Sequence, residues 1–151
     1  MTITIYTEPI ILEVRQRSHL SVQDIKDAEA RDNARAGLDK MDEIERCIID
    51  AFGQLSRHCG RFLERDYTLE ADNMSGIPNA YAYEFSMSAR RAANKAEALE
   101  EAMHGFVVQA ALARFYTTVN NVDRAGTHTA LAADYANQLN ELLYTKQPPL
   151  V

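Results

Sequence analysis

Phe106-Val-Val-Gln-Ala-Ala-Leu-Ala-Arg-Phe-Tyr116 is the stretch that decides how this chain folds. Only Gln109 and Arg114 interrupt it, so a helix drawn through it is apolar on nearly every side. A helix apolar all round has to be covered all round. In a chain of 151 residues that cover comes from one of two places, the centre of a helical bundle or an interface between copies.

Upstream, residues from about 89 are charged (Arg90, Arg91, Lys95, Glu97, Glu100, Glu101), and one helix is expected over about 89–119. Asn120, Asn121 and Gly126 mark a turn. A final helix over about 123–145 carries Leu131, Tyr135, Leu139, Leu142 and Leu143 as its stripe, with Pro148 and Pro149 after it. Asp39 reads as the cap of another strong helix, reaching about residue 64. Met41, Ile44, Ile48, Phe52, Leu55, Cys59, Phe62 and Leu63 fall within about 60° of one line at 100° per residue. Gly53, Ser56 and Gly60 form a small-residue strip beside it, which either admits a neighbouring backbone or merely weakens the helix. A weaker, polar helix is expected from an N-cap at Ser21, with Asp24 in the capping-box position and Gly37 as its end.

The helical rhythm breaks at residues 81–87. Tyr81, Tyr83, Phe85 and Met87 alternate with Ala82, Glu84 and Ser86, the period-2 pattern of a half-buried strand. Tyr67, Leu69 and Ala71 alternate as well, and Asp72, Asn73, Ser75, Gly76, Pro78 and Asn79 lie between. These segments read as a β-hairpin of about 67–71 with 81–87, its second strand meeting another subunit or protein along its edge. Residues 2–14 read as extended: an edge strand, a strand donated to a neighbour, or a loosely packed arm, interrupted at Pro9.

The expected fold is therefore mainly α. It is a bundle of three to four helices with a small hairpin and an extended N-terminal arm, in a single domain over 1–151. Its parts are an arm at 1–20, two helices at 21–64, hairpin and loop at 65–88, two long helices at 89–146 and a tail at 147–151.

No apolar run approaches the roughly 18 residues of a membrane span. The opening Met1–Pro9 has neither a basic n-region nor a small-residue cleavage site, so secretion is not expected. A net charge of −6 disfavours tight binding to nucleic acid, which rests on neutralised phosphates. Cys47 and Cys59 lie twelve residues apart on one expected helix, about 18 Å along its axis, beyond disulfide reach. Cys59 falls on the apolar stripe and Cys47 does not, so a buried and an exposed free thiol are expected, in a reducing compartment.

No catalytic, cofactor or metal constellation is read. Glu101-Ala-Met-His104 has the Glu-x-x-His spacing of carboxylate-bridged di-iron bundles, which require a second such pair. His19, His58 and His128 have Gln16, Leu55 and Ala125 three positions earlier, so none completes it. There is no phosphate-binding glycine loop, zinc knuckle or nucleophile elbow. The candidates left are for interfaces: Tyr81, Tyr83 and Phe85 on the strand, Phe106, Val107 and Phe115 on the apolar helix, and Arg57 and Arg61. With Arg65 these two arginines recur every four residues, as a solvated face or as a ridge for an acidic neighbour.

The order of parts resembles that of small helical proteins from the structural gene block of tailed bacteriophages. It is carried by the helix Met41–Leu63, the strand Tyr81–Met87, the helix Ala98–Thr118 with its Glu-Ala-Met-His-Gly-Phe-Val-Val centre, and the helix Ala130–Tyr144 with its proline-containing tail. Head–tail connector (adaptor) proteins are similar in being short, acidic, mostly helical and non-enzymatic. The resemblance covers roughly residues 40–150 and is one of layout. It implies a subunit of a homo-oligomeric ring in the virion, assembled in the host cytoplasm. Such a ring binds the portal protein on one side and a tail or tail-completion protein on the other, with DNA passing through without specific binding and no membrane involved. The alternative is a soluble helical protein-binding or regulatory protein, monomeric or dimeric.

Overall fold

The fold is mainly helical with a small antiparallel sheet, and its centre is the long helix that contains Phe106–Tyr116. The computed structural model describes residues 1–21, 23, 25–34, 40–69, 76–86 and 89–144. In chain order the elements are β1 (Thr2–Tyr6), α1 (Thr7–Ser21), α2 (Ala28–Ala34), α3 (Met41–Cys59), a 3-10 turn (Gly60–Phe62), β2 (Leu63–Leu69), β3 (Ala80–Phe85), α4 (Ala89–Thr118) and α5 (Val122–Leu143). Met87 and the 70–75 part of the expected hairpin, with Gly37, Asp39 and Pro148–Pro149, fall outside the described residues.

The chain itself covers α4. Phe106, Val107, Val108, Ala110, Ala111, Leu112, Phe115 and Tyr116 are all buried, with α5 and α3 packed along α4 and α1 and β1 closing the rest. Burying each large apolar side chain contributes about 1.5–3 kcal/mol, so this stretch anchors the fold. Of the two sources of cover, the bundle centre is the one realised.

Around α4 the outer helices follow their stripes. Helix α3 buries Ile44, Ile48, Phe52, Leu55 and Cys59 as its spacing requires, and Cys47 and Ala51 with them. Cys47 is thus buried rather than exposed, because the face toward α4 is wider than one stripe. Burial pushes its thiol up to about 11 and that of Cys59 up to about 12, so both stay protonated. The helix stops at Cys59; Phe62 lies in the 3-10 turn, and Leu63 opens β2.

Helix α5 follows its expected stripe over its C-terminal half, where Leu139 and Leu143 are buried and Tyr135 and Leu142 pack partly buried against the core, and departs from it at Leu131. Ala125, His128, Ala132, Leu139 and Leu143 are buried, and Leu131 is exposed. Bulky side chains on α4 already fill the contact, so small residues on α5 allow close approach. Gly105 packs directly against the Tyr135 ring, so that an added Cβ atom would overlap it. Gly53 and Gly60 meet no such crowding from the described residues. Asn120 makes the α4–α5 turn with φ of 60°, and Asn121 caps α5 by accepting from the Arg124 N–H. Gly126 lies inside α5 and takes no part in the turn.

The N-terminal segment is an edge strand over Thr2–Tyr6, one of its expected readings, and departs from the expected extended arm from Thr7 onward. Thr2–Tyr6 is a strand, and the helix α1 begins directly after it. Pro9 interrupts nothing, because it sits in the first turn, where backbone N–H groups have no helical acceptor. Thr7 fixes the junction: its N–H donates to the Asn79 carbonyl (2.9 Å) and its hydroxyl to the Pro78 carbonyl (2.8 Å). Ile10, Val14 and Ser18, one per turn, form the buried edge of α1. Ser21 ends this helix instead of capping the next; the Asp27 carboxylate accepts from the Glu29 N–H and starts α2.

The Gly105–Tyr135 contact yields a measurable consequence. Gly105→Ala should destabilise the fold by about 1–2 kcal/mol through overpacking. In a Tyr135→Ala background the same change should be neutral or stabilising, since alanine is the better helix former. Urea denaturation of the four chains measures both.

Candidate interaction surfaces

The sheet forms from three short strands in the order β1-β3-β2, both neighbours antiparallel to β3. The expected pairing of β3 with the alternating segment before it holds, over Leu63–Leu69 with Ala80–Phe85 and an irregularity between Leu63 and Arg65. The expectation that β3 carries a free edge does not hold: β1 occupies that side, with Ile3 opposite Tyr83 and Ile5 opposite Tyr81. Strand β3 is central, and the outer edges belong to β1 and β2.

The direction of those edges follows from the ladder. Phe85 N–H donates to the Met1 carbonyl (2.8 Å) and Thr7 N–H to the Asn79 carbonyl, so odd-numbered residues of β1 bond to β3. By the alternation of antiparallel pairs, Thr2 and Thr4 turn their backbone groups away from β3. Ser86 N–H donates to the Phe62 carbonyl, so even-numbered residues at this end of β3 face β2, and Asp66 and Thr68 point outward.

The two faces differ sharply. Inward, Ile3, Ile5, Tyr83 and Phe85 are buried, and Tyr81 lies half-buried against Phe52 with ring centroids 3.8 Å apart at 10°. The Tyr83 hydroxyl donates to the Phe52 carbonyl (3.4 Å) and accepts from Ser56 (3.3 Å). Outward, one row is Thr4, Ala82 and Tyr67 and the next is Tyr6, Ala80 and Leu69. Ala80 and Ala82, in the middle of these rows, are themselves buried. Tyr6 is 61% exposed, Leu69 41% and Tyr67 38%, and no residue of β2 is buried. Beside them Arg65 forms a two-pronged ion pair with Glu84 (2.7 and 2.8 Å), and its guanidinium lies 4.9 Å from the centre of the Tyr67 ring.

Of the residues singled out from the sequence, Tyr83, Phe85, Phe106, Val107 and Phe115 are buried within the chain, so they are core rather than available surface. Period and apolarity identify buried faces without saying whose atoms bury them. Arg57 on α3 and Arg61 in the 3-10 turn are exposed, and Arg61 donates to the Tyr144 hydroxyl (3.2 Å). Tyr6, Tyr67 and Leu69 were not singled out. The signal for Tyr67 and Leu69 is the alternation read at 67–71, which places them on one face.

His104 pairs with Glu13 on α1, and Glu13 also accepts from Arg17 (2.9 Å). Glu97, Glu100, Gly105 and Tyr135 complete a cleft of about 390 Å³ around them. Among the described residues, no group of three or more His, Cys, Asp or Glu side chains is placed to hold a metal ion. Nor, among them, is any helix long and apolar enough to cross a membrane. No protein-family model, curated protein or solved structure matches the chain.

The Glu13 contacts set an acid limit. Burial alone pushes its carboxyl up, but hydrogen bonds and charge from His104 and Arg17 outweigh it and hold the group below its ordinary value. A carboxylate lowered on folding stabilises the fold above its unfolded pKa, and that contribution is lost as pH falls through the folded value. Glu13→Gln should therefore remove part of the stability at pH 6 and flatten its loss below about pH 4.5. Urea midpoints measured from pH 6 to pH 3 read the slope.

Proposed function

We propose that this chain is a structural subunit of a tailed-bacteriophage particle, a ring-forming head–tail connector between the portal and the tail. The observation that carries the reading is the sheet. Its two outer edges belong to different strands on opposite sides of β3, and its outward face is lined by Tyr6, Tyr67 and Leu69. Open edges accept strands from neighbours, and two unlike edges on one subunit suit head-to-tail contacts, which close into rings when the rotation allows. Tyrosine is enriched at protein interfaces because it offers an apolar ring with a polar tip. The Arg65–Glu84 pair supplies charge beside Tyr67 on this face.

The layout that resembles connector proteins supports the same reading. So does the acidic balance of −6, since like charge disfavours a grip on passing DNA. In this role the chain meets itself, a portal protein and a tail or tail-completion protein, and performs no chemistry.

The test is electron microscopy of the purified chain mixed with a portal protein from the same genome. A ring of this chain beneath the portal is expected, and portal particles left bare would sink the reading. Thr4→Pro removes an edge N–H that points away from β3, a position at which an edge strand tolerates proline. That variant should keep the helical circular dichroism of the parent and fail to form rings; Thr68→Pro tests the other edge.

A further inference from the structure

A second feature concerns the junction of α1, α4 and α5, away from the sheet. His128 of α5 is buried there, 8% exposed. Its Nδ1–H donates to Gln109 Oε1 of α4 at 2.6 Å, and Gln109 is buried too. The imidazole ring stacks on Tyr116 of α4, centroids 5.3 Å apart at 15°. The Tyr116 hydroxyl in turn donates to the Ser18 carbonyl of α1 at 3.4 Å. One buried imidazole is thus joined through one phenol to the C-terminal part of the N-terminal helix.

The charges around it have one sign. Arg17 of α1 and Arg124 of α5 both act on His128, while Gln109 and Tyr116 of α4 bring no charge. Because Nδ1 already carries a hydrogen for Gln109, an added proton goes to Nε2. The Tyr116 ring face offers a cation partial compensation. Against it stand the loss of hydration on burial and the two guanidinium groups.

We propose that His128 makes this junction an acid-sensitive joint: protonation places a charge on a buried ring that is bonded to Gln109 and stacked on Tyr116, and loosens α1 from α4. The pH dependence agrees in sign. Burial first, then Arg17 and Arg124, hold His128 below its ordinary value of 6.5. A histidine lowered on folding stabilises fully above its unfolded pKa and loses that contribution as pH falls below it. The Glu13 contacts on the same helix fail only in the carboxylate range, so the two windows separate. His104, Glu97, Glu100 and Glu101 lie on the Glu13 side of α1, in the cleft described above. The joint would let mild acid free the helix that follows β1 while the α3–α4–α5 core stays folded.

The test is hydrogen exchange of the full chain at pH 7.5 and pH 5.5, corrected for intrinsic rates, with an NMR titration of the four histidines. The amides of α1 should exchange several-fold faster at pH 5.5, those of Phe106–Tyr116 should not, and His128 should titrate below 6.5. His128→Gln, which keeps a donor for Gln109 but does not titrate, should abolish the acid response of α1. If it fails to fold, His128→Phe with Gln109→Leu removes both partners of the buried hydrogen bond. An α1 response that persists in the non-titrating variant would overturn the proposal. So would its disappearance in His104→Gln, or a His128 titration at or above 6.5.

Discussion

Everything in this structure depends on covering α4. A helix apolar around its whole circumference exposes several large side chains to water unless neighbours close on it from every direction. Helix α3 and helix α5 take two sides, and α1 with β1 takes most of the remainder. The demand also explains the composition of the neighbours. Where α4 presents bulk, α5 answers with Ala125 and Ala132; where α4 presents Gly105, α5 answers with Tyr135. Volume is exchanged between facing positions, as close packing requires.

Covering the core from one side leaves the sheet two-faced. Ile3, Ile5, Tyr83 and Phe85 face the helices, while the opposite face holds alanines flanked by Tyr6, Tyr67 and Leu69. The functional reading rests on that asymmetry. Its inner aromatic residues belong to stability, and whatever this chain binds through the sheet meets the outer face and the edges of β1 and β2. An assembly role and a helix joint near His128 are compatible because they use opposite ends of α1: Thr7 ties it to the sheet, and Ser18 ties it to Tyr116.

The long periodic segments were legible in the sequence. The stripe from Ile44 to Cys59, the extent of α4, and the alternation of β3 each follow from spacing alone, because each face meets one environment along its length. The start of the chain was harder. Thr7–Ser21 buries about one residue per turn, Thr7, Ile10, Val14 and Ser18, too narrow a stripe to read as helical, and the Ile10-Ile11-Leu12 run has β character. Tertiary contact decides there, through the Thr7 bonds to the Pro78–Asn79 turn. The candidate surface was half legible: alternation marked Tyr67 and Leu69 as sharing a face, but only the three-strand order reveals which face the helices leave open. His104 pairs with a residue 91 positions away, and no local spacing rule finds such a partner.

The central claim is that one copy of the chain buries α4 by itself. Native-state hydrogen exchange measured over a hundredfold range of protein concentration tests it most directly. The account predicts that the amides of Phe106–Tyr116 are the slowest in the molecule, exchange only through global unfolding, and do so at rates independent of concentration. Protection of that stretch that rises with concentration would contradict the account, because it would mean that a second copy supplies the cover.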